Sequence, residues 1–427
     1  MPTQTHLPTK QELVDIRREF HAFPEPGWRE YWTTIRIVEE LERLGVDQIH
    51  VGAEALDPDK RLGVPDEQEL SAWYERAAAR TDRTDILEQL AGGHTGAVAV
   101  VERGDGPTVG LRVDIDALPI TESSDGDHKP AAEGFRSENE GYMHACGHDA
   151  HITLGLGALQ AVIESDFNGT FKVFFQPSEE LLGGGKAMAG GSHIDDVDYL
   201  IGAHVGLDHP TGTVVGGVDE ALAFARFDVA FTGESAHAGL APNQGRNAVH
   251  ALVDATSNIY GIPRHREGAT RVNVGELRSD NAANVVASEA TATIEVRGES
   301  NELMEYMRDS VHRHVDAAAA AHDCEADISL IGEAIREDSD EELVDLVDET
   351  ASAVDAVSSV RRRDQLGASE DATFLMRAVK ENGGKAAYVG IGGGNPSGHH
   401  TPTFDVDEDC LLIGVTVLSD TVLDLLS

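Results

Sequence analysis

Between residues 142 and 151 the chain carries one thiol, one carboxylate and three imidazoles. These groups belong to His144, Cys146, His148, Asp149 and His151. About one β-α unit further on, two adjacent carboxylates, Glu179 and Glu180, follow an apolar run that ends at Phe175. Thiolates, imidazoles and carboxylates are the side chains that bind zinc and other first-row divalent ions. The combination predicts the site of a metal-dependent hydrolase.

Cys146 and His148 are separated by one residue. In an extended loop, side chains two positions apart point to the same side, so both could bind one metal centre. An isolated Cys-x-His pair is more often a buried cysteine beside a capping histidine. The three other polar groups in the same short segment favour the metal site.

Glu179 and Glu180 follow Pro177, which cannot continue a strand ladder. Adjacent carboxylates on a turn diverge, so one could bind a metal while the other accepts a proton from water. In so acidic a chain an acidic pair is most often solvated surface. The position directly after an apolar strand favours the functional interpretation.

Other candidate ligands are weak when taken alone. His204 ends an apolar run, where a histidine is more often a satisfied core residue than a ligand, and His399 and His400 follow a glycine-rich turn. Together with Cys146 and His148, imidazoles and acids at strand ends would complete two coordination spheres. His237 is, by itself, best explained as a buried side chain.

Charge and length restrict what kind of protein must position these groups. A chain of 427 residues exceeds the size of one hydrophobic core, so two domains are expected. The formal net charge of −43 disfavours nucleic acid and anionic membranes as partners. The acidic residues are spread along the chain rather than concentrated in runs, and lysine is scarce. This distribution favours adaptation to a high-salt cytoplasm over a dedicated cation-binding protein.

Three cysteines cannot all pair, and a disulfide framework is not expected in so long a chain. The N-terminal residues 1–13 are polar, and no apolar run reaches the roughly 18 residues of a membrane span. We therefore expect a soluble, cytoplasmic protein.

Apolar residues at helical spacing predict helices over 10–23 and 33–44. Residues 57–90 are charged and helix-prone, and would form an excursion that serves as a flap or an oligomer contact. Strand-like runs follow at 95–102 and 107–113. The intervening Arg-Gly-Asp-Gly sequence predicts that these two strands pair as a hairpin.

The remaining elements predict an α/β fold with an α+β insertion. The α/β part continues with a helix over 152–165 and strands over 170–175 and 199–204. It ends with a helix over 371–382, a strand over 386–391 and a helix over 409–426. The insertion has two helices on a small antiparallel sheet, with strands over 226–232, 271–277, 290–297 and 325–331 and helices over 245–260 and 301–321. We expect a catalytic domain over 1–222 and 333–427, and an inserted domain over 223–332.

Several motifs along the chain resemble those of the M20 metallopeptidases. The resemblance rests on residues 17–21, 111–118, 143–151, 175–180 and 400–404, and it covers nearly the whole chain. The subfamily with this cysteine-containing pattern includes indoleacetyl-amino-acid hydrolases, N-acyl-amino-acid amidohydrolases and aminobenzoyl-glutamate hydrolases. The resemblance implies a mixed α/β metal-binding domain with an inserted, ferredoxin-like lid and dimerisation domain.

Within this subfamily, residues 57–90 resemble the corresponding segment of the aminobenzoyl-glutamate hydrolase A subunits. Residues 271–275, 295–300 and 398–400 share that similarity. Such a segment distinguishes subgroups better than shared metal ligands do.

The resemblance implies two divalent ions per subunit, Mn or Zn. It makes Cys146 a ligand of both ions. His148 and His204 would complete the ligand set of one ion, and Glu180 and His400 that of the other.

The resemblance also assigns roles beyond the ligands. Glu179 matches the general base, and Asp114 and Asp116 match positions that hold the ligands from behind. His237 in the lid matches a residue that, in family dimers, reaches the neighbouring site and helps to hold the developing oxyanion.

Asn284 and Arg297 match groups that bind the carbonyl and carboxylate of the substrate. An arginine fork is well suited to a carboxylate.

The implied activity is hydrolysis of the amide bond in an N-acyl or N-aroyl amino acid, with p-aminobenzoyl-glutamate as the leading substrate. The same metal site would serve a general N-acyl-amino-acid amidohydrolase or a carboxypeptidase. A different class of protein, a non-catalytic regulatory subunit, stays open. The partner is either a second copy of the chain or a paralogous subunit.

Overall fold

A computed structural model describes residues 7–394 and 397–427 of the chain. In the first half it contains α1 (Lys10–Ala22), α2 (Tyr31–Leu44), β1 (Gln48–Val51), α3 (Glu67–Ala78), α4 (Thr84–Gln89), β2 (Ala97–Arg103), β3 (Thr108–Asp114), α5 (Lys129–Glu133), α6 (His148–Ile163), β4 (Gly169–Gln176), α7 (Gly185–Ala189), β5 (Tyr199–Val205) and β6 (Thr213–Asp219). In the second half it contains β7 (Ala223–Thr232), α8 (Ala248–Tyr260), β8 (Thr270–Arg278), β9 (Glu289–Gly298), α9 (Asn301–Ala321), β10 (Glu325–Ala334), α10 (Glu341–Ala353), β11 (Ser359–Gln365), α11 (Thr373–Glu381), β12 (Lys385–Ile391) and α12 (Asp409–Leu425).

Contacts within the chain divide it into two units. Unit 1 comprises Met1–Asp219, Glu337–Leu366 and Asp371–Ser427, and unit 2 comprises Glu220–Arg336 and Gly367–Glu370. Among the described residues, no helix combines the length and apolar character needed to cross a membrane.

Unit 1 is built on an eight-stranded mixed sheet with the order β1-β2-β4-β3-β5-β12-β6-β11. Strands β4, β3, β5 and β12 are mutually parallel, while β2 is antiparallel to β4 and β6 is antiparallel to β12. In such sheets, functional groups collect on the loops that follow the carboxyl ends of the parallel strands.

The predicted hairpin between β2 and β3 is wrong. Strand β4 lies between them and pairs antiparallel with β2 and parallel with β3. Seven of the eight β4 residues are buried. A strand covered on both faces is stable at the centre of a sheet, where it has two ladder partners. The turn at residues 103–106 therefore sends the chain across β4 rather than back along β2.

Apolar residues cover both faces of the sheet in unit 1. Alternate residues of β2 show this, since Ala97 and Ala99 belong to the same core cluster as Leu13 of α1. Val98 belongs to a second cluster on the other face, together with Leu375 of α11. Helices on both faces of a largely parallel sheet form an α/β fold, as the sequence predicts.

Unit 2 is a four-stranded antiparallel sheet with the order β10-β7-β9-β8. Its helices α8 and α9 share one apolar core with the sheet, in which Phe227 and Phe231 of β7 pack with Leu252 of α8 and Met307 of α9. The element order β-α-β-β-α-β is that of a ferredoxin-like fold. The predicted α+β architecture of the insertion is thereby confirmed.

Five elements of unit 1 were not predicted from the sequence, namely β1, α5, β6, α10 and β11. The polar stretch 333–342, expected only to return the chain to the first domain, contains the end of β10 and the beginning of α10.

Candidate functional site

Two groups of potential metal ligands lie in unit 1 and share one sulfur atom. In the first group, the ligand atoms of Cys146, His148 and His204 all lie within 4.8 Å of one another. In the second, the same holds for Cys146, Glu180 and His400. The structure therefore brings together all five predicted ligands of the two ions.

The ends of helices and strands position these side chains. Gly147, with φ of 87°, is the left-handed N-cap of α6, and His148 is the first residue of that buried helix. The expectation that Cys146 and His148 lie in an extended loop is therefore wrong. The turn at Gly147 orients both side chains instead, since glycine adopts positive φ without steric cost. His204 lies near the end of β5, and Glu180 lies beyond the end of β4.

Hydrogen bonds to the far side of two imidazoles leave their near nitrogens available. His148 Nδ1 lies 3.2 Å from Asp116 Oδ1, and His204 Nδ1 lies 2.8 Å from the carbonyl oxygen of Val205. In the neutral rings each Nδ1 therefore carries the proton, which leaves a lone pair on each Nε2. His204 Nε2 lies 3.6 Å from the sulfur of Cys146.

Two buried atoms of the cluster have no hydrogen-bond partner, namely His148 Nε2 and Glu180 Oε1. Buried polar atoms are normally paired, and here the two face each other at 3.7 Å. A cation between them would satisfy both. The donor set of sulfur, nitrogen and carboxylate oxygen suits a divalent first-row ion, so the residues fit the metal centre that the sequence predicts.

The pKa values of Glu180 and His148 are both raised, which also shows that the cluster favours additional positive charge. Burial raises the pKa of Glu180 to about 8. The positive charge of His148 opposes this shift, and the negative charge of Asp116 adds to it. Burial would lower the pKa of His148, but Asp114, Asp116 and Glu180 outweigh it and raise the pKa to about 10. Without a bound ion, protons would therefore neutralise the cluster.

Asp114 and Asp116 lie behind the potential ligands. Asp116 bonds His148 through one carboxylate oxygen and accepts the backbone N–H of Glu180 at 3.1 Å through the other. Asp114 Oδ1 accepts the Nδ1–H of His151 at 2.5 Å. Asp116 thus links one member of each ligand group, which matches the supporting position expected for it.

Glu179 lies at the edge of the cluster. One of its carboxylate oxygens is 3.9 Å from His148 Nε2, and the residue is 7% exposed. Glu179, Glu180 and His148 together form a third group of closely spaced potential ligand atoms. Either acid could reach water held near the cluster, which is the arrangement that a general base needs.

The loop that carries Glu179 is held by a buried acid that sequence reasoning missed. Ser178 adopts a left-handed conformation with φ of 57°, which is strained for a residue other than glycine. Its backbone N–H donates to Glu30 Oε1 at 2.8 Å, and Thr95 donates its hydroxyl to the other oxygen of Glu30 at 2.6 Å. Glu30 is fully buried, and an acid next to the apolar start of α2 is the signal that could have identified it.

The excursion at residues 57–90 also contacts this loop. The backbone N–H of Leu62 donates to Gly183 at 3.2 Å, and that of Asp57 donates to Ala187 at 2.9 Å. The indole N–H of Trp28 donates to the carbonyl oxygen of Leu62 at 2.7 Å. The excursion therefore supports the segment that follows Glu179 and Glu180.

The three predicted site residues of unit 2 are less enclosed. His237 and Asn284 are exposed, and Arg297 is half-buried. His237 Nδ1 accepts the backbone N–H groups of Gly239 and Leu240 at 3.2 Å each, so the ring proton lies on Nε2. This leaves an N–H that can donate to a ligand.

A backbone hydrogen bond holds Asn284, and a hydrogen bond to one acid holds Arg297. The carbonyl oxygen of Asn284 accepts the N–H of Ala238 at 2.9 Å, next to the isolated bridge between His237 and Val285. Arg297 Nε donates to Glu295 at 2.8 Å, and its guanidinium lies 5.1 Å from the centre of the Phe224 ring. Within unit 2, Asn284 is thus fixed beside His237, while Arg297 projects from β9.

The chain is similar to known proteins over nearly its whole length. Residues 110–424 match the model of peptidase family M20/M25/M40. The chain is 39% identical to a Haemophilus influenzae homolog of the p-aminobenzoyl-glutamate hydrolase A subunit, over 97% of this chain and 99% of the relative. It is 38% identical to the indole-3-acetyl-aspartic acid hydrolase of Enterobacter agglomerans, over 97% and 95%.

Among solved structures, the aminobenzoyl-glutamate utilization protein of Klebsiella pneumoniae is similar over 97% of this chain and 95% of its own. The TM-score is 0.83 and the sequence identity is 33%. The similarity therefore extends over both units rather than over the ligand motifs alone.

Proposed function

Because the chain belongs to peptidase family M20/M25/M40, we propose that it hydrolyses the amide bond of an N-acyl or N-aroyl amino acid with the help of two divalent ions. The observation that carries this proposal is the pair of ligand groups that share Cys146, with the Glu179 carboxylate beside them. The ligands of one ion would be Cys146, His148 and His204, and those of the other Cys146, Glu180 and His400.

Divalent ions held by these residues would polarise the amide carbonyl and lower the pKa of a water molecule. Glu179 accepts a proton from the attacking water and delivers it to the nitrogen of the leaving amine. General-base help of this kind is worth roughly 10²- to 10⁴-fold in rate. Glu30 and Asp116 keep the loop of Glu179 and Glu180 in place during the reaction.

We assign the recognition of substrate to unit 2. His237 donates its Nε2–H to the developing oxyanion, Asn284 binds the carbonyl group, and Arg297 binds the carboxylate. A planar arginine fork gives a carboxylate two parallel hydrogen bonds, which suits an amino-acid product. The similarity to family dimers supports a dimer in which His237 of one copy serves the site of another.

The leading substrate is p-aminobenzoyl-glutamate, which the relative in Haemophilus influenzae is named for. The similar identity to an indole-3-acetyl-aspartic acid hydrolase supports acidic amino-acid conjugates of aromatic acids as the wider class. Both substrates carry an aromatic acyl group and a dicarboxylic amino acid. A general N-acyl-amino-acid amidohydrolase would accept aliphatic acyl groups as well.

The metal is Mn or Zn, since a thiolate ligand favours Zn and the similarity to the family favours Mn. We also propose that the protein works at high salt in the cytoplasm, because a formal charge of −43 is repulsive unless counterions screen it. Full stability in dilute buffer would contradict this part of the proposal.

The decisive experiment starts from protein stripped of metal and kept in molar KCl. Mn and Zn are restored separately, and p-aminobenzoyl-glutamate, indole-3-acetyl-aspartate and a panel of N-acetyl amino acids are assayed. Metal-restored cleavage of the aromatic conjugates is the expected result. Cleavage of the acetyl panel alone would keep the mechanism and reject the substrate class.

A Glu179→Ala variant is the matched control for chemistry, because it removes the base and leaves all five ligands. Undiminished activity of this variant would overturn the proposed mechanism. Failure to cleave any substrate, with metal bound, would favour a regulatory subunit or the need for a paralogous partner.

A further inference from the structure

We propose that His399 is a positioning residue that donates its Nδ1–H to the thiolate of Cys146 and binds neither metal ion. This inference rests on the proposed role of Cys146 as the shared ligand. It assigns different tasks to two adjacent histidines: the family resemblance implies a ligand role for His400 and no role for His399.

The hydrogen bonds of His399 determine its tautomer. The backbone N–H of Leu207 donates to His399 Nε2 at 3.1 Å, so Nε2 must present a lone pair. A neutral imidazole with a lone pair on Nε2 carries its proton on Nδ1. That Nδ1 lies 3.5 Å from the sulfur of Cys146, within the range of an N–H···S hydrogen bond. An atom that carries a proton cannot simultaneously bind a metal.

The surroundings of the ring hold it in this orientation. Gly206 has φ of 96°, and a Cβ atom there would lie 2.8 Å from His399 Nε2. The absence of a side chain at this position therefore lets the ring approach the backbone of residues 206 and 207. On its other side the ring lies 5.0 Å from the ring centre of Phe404.

His400 has the opposite arrangement. Its Nε2 lies 3.5 Å from Glu180 Oε2, in the group formed with Cys146. Its φ of 59° turns the backbone between the two histidines, so that adjacent side chains approach the cluster from different directions. His400 is thus placed as a ligand and His399 as a donor to the sulfur.

A hydrogen bond to a metal thiolate withdraws electron density from the sulfur and fixes its direction. Here the sulfur is shared, so the donor acts on both ion sites at once. Loss of an outer partner of a ligand typically weakens metal affinity by roughly 10- to 100-fold. We expect a loss in this range for both ions when the donor is removed.

Two variants separate the two hydrogen bonds of His399. His399→Asn places an amide N–H near the position of Nδ1 and keeps a donor to sulfur. His399→Gln places its amide near the position of Nε2 and keeps an acceptor for Leu207, but it loses the donor to sulfur. His193→Gln, at a half-buried histidine whose Nε2 bonds the carbonyl oxygen of Glu54, is the control.

The test uses the full chain loaded with cobalt(II), whose absorption includes a charge-transfer band from the thiolate. In His399→Gln we expect two bound ions, a band shifted to lower energy and weaker binding in competition with a chelator. His399→Asn should resemble the wild type in band position. An unshifted band in His399→Gln, or the loss of one ion in either variant, would overturn the proposal.

A measurement on the unmodified sequence covers the case in which a variant fails to fold. In the zinc form labelled with ¹⁵N-histidine, NMR reports which ring nitrogen of His399 carries the proton. The Nδ1–H tautomer supports the proposal and the Nε2–H tautomer contradicts it. Absence of the thiolate band in the wild type would instead contradict the ligand role of Cys146 and, with it, the proposed metal centre.

Discussion

Unit 1 buries charged side chains around its sheet, whereas unit 2 packs almost only apolar side chains in its core. Arg17, His21 and Asp149 are each fully buried in unit 1. Among the described residues of unit 2, only two acidic or basic side chains are buried, Glu333 and Glu370. Isolated buried charges are costly, so unit 1 keeps them in paired and hydrogen-bonded networks.

The candidate functional groups differ in the same way. In unit 1 the imidazoles of His148 and His204 are oriented by hydrogen bonds on their far side. In unit 2 His237 and Asn284 are exposed and held mainly through the backbone. The contrast agrees with the proposed division of tasks, in which unit 1 binds the ions and unit 2 offers groups that gain partners from a ligand. Substitutions of the candidate residues should therefore lower the metal content in unit 1, but lower activity at unchanged metal content in unit 2.

The largest effect is expected from Cys146→Ser. A serine hydroxyl does not ionise near neutral pH, so both proposed ion sites would lose their shared anionic ligand. Since metal activation contributes several kcal/mol, kcat should fall by roughly 10³-fold or more. Elemental analysis should find fewer than two ions per subunit.

Cys324→Ser, at a half-buried cysteine of unit 2, is the matched control and should retain both ions. Two tightly bound ions in Cys146→Ser would show that the sulfur is not the shared ligand.

His237→Ala should lower kcat by about 10²- to 10³-fold without changing metal content, because it removes one donor to the developing oxyanion. Steady-state kinetics and elemental analysis on the same sample check this prediction. His250→Ala, at an exposed histidine of α8, is the control. Loss of metal from His237→Ala would contradict the proposed division between the units.

The buried charges of unit 1 predict a pH dependence of stability. Burial opposes protonation of His21, but hydrogen bonds to Asp149 and Glu122 outweigh it and raise the pKa to about 9 from 6.5. A raised folded-state pKa adds stability that is complete below pH 6.5 and is lost as pH rises through 9. The shift corresponds to on the order of 3 kcal/mol.

Calorimetric unfolding between pH 6 and 10 measures this effect. The wild type should lose stability over that window, and His21→Gln should show a flatter profile from a lower starting value. A wild-type profile that rises through the same window would contradict the assigned charge on His21.

The smallest effect is expected from Arg297→Lys. Lysine keeps the charge but replaces the planar fork by a point charge, so KM for a carboxylate substrate should rise by about tenfold while kcat stays unchanged. Arg278→Lys, on the exposed strand β8, is the control. An unchanged KM would remove Arg297 from the substrate site.

Local patterns were sufficient for much of the fold. The helical spacing that predicts 10–23 and 301–321 corresponds to α1 and α9, with the second range matching fully. Strand pairing was harder, because the partner of a strand depends on distant sequence. The ladder between β2 and β4 is one example, and β11, a mostly exposed strand with three arginines next to β6, is another.

Strand β6 was not predicted for a different reason. It contains Gly216 and Gly217, which weaken a strand pattern. A Cβ at Gly216 would lie 2.4 Å from Asp348 and one at Gly217 would lie 2.8 Å from Val344. Both neighbours belong to α10, so the glycines allow close packing of a helix that was itself not predicted.

The grouping of the five potential ligands agrees with what the family resemblance implies, and their roles stay proposals. What the sequence could not supply is the environment of each side chain. The tautomer of His399 depends on a backbone N–H at Leu207, and the conformation of Ser178 depends on Glu30. Such partners lie far apart along the chain and become visible only once the fold is known.

The position of β12 has a consequence for the order of events during synthesis on the ribosome. Most of unit 2 is one continuous segment, Glu220–Arg336, which can fold as soon as it emerges. The sheet of unit 1 must wait for Lys385–Ile391, because β12 pairs with both β5 and β6. His400 emerges later still. We therefore expect the inserted unit to be folded before the unit that surrounds it, and ion loading to follow release of the finished chain.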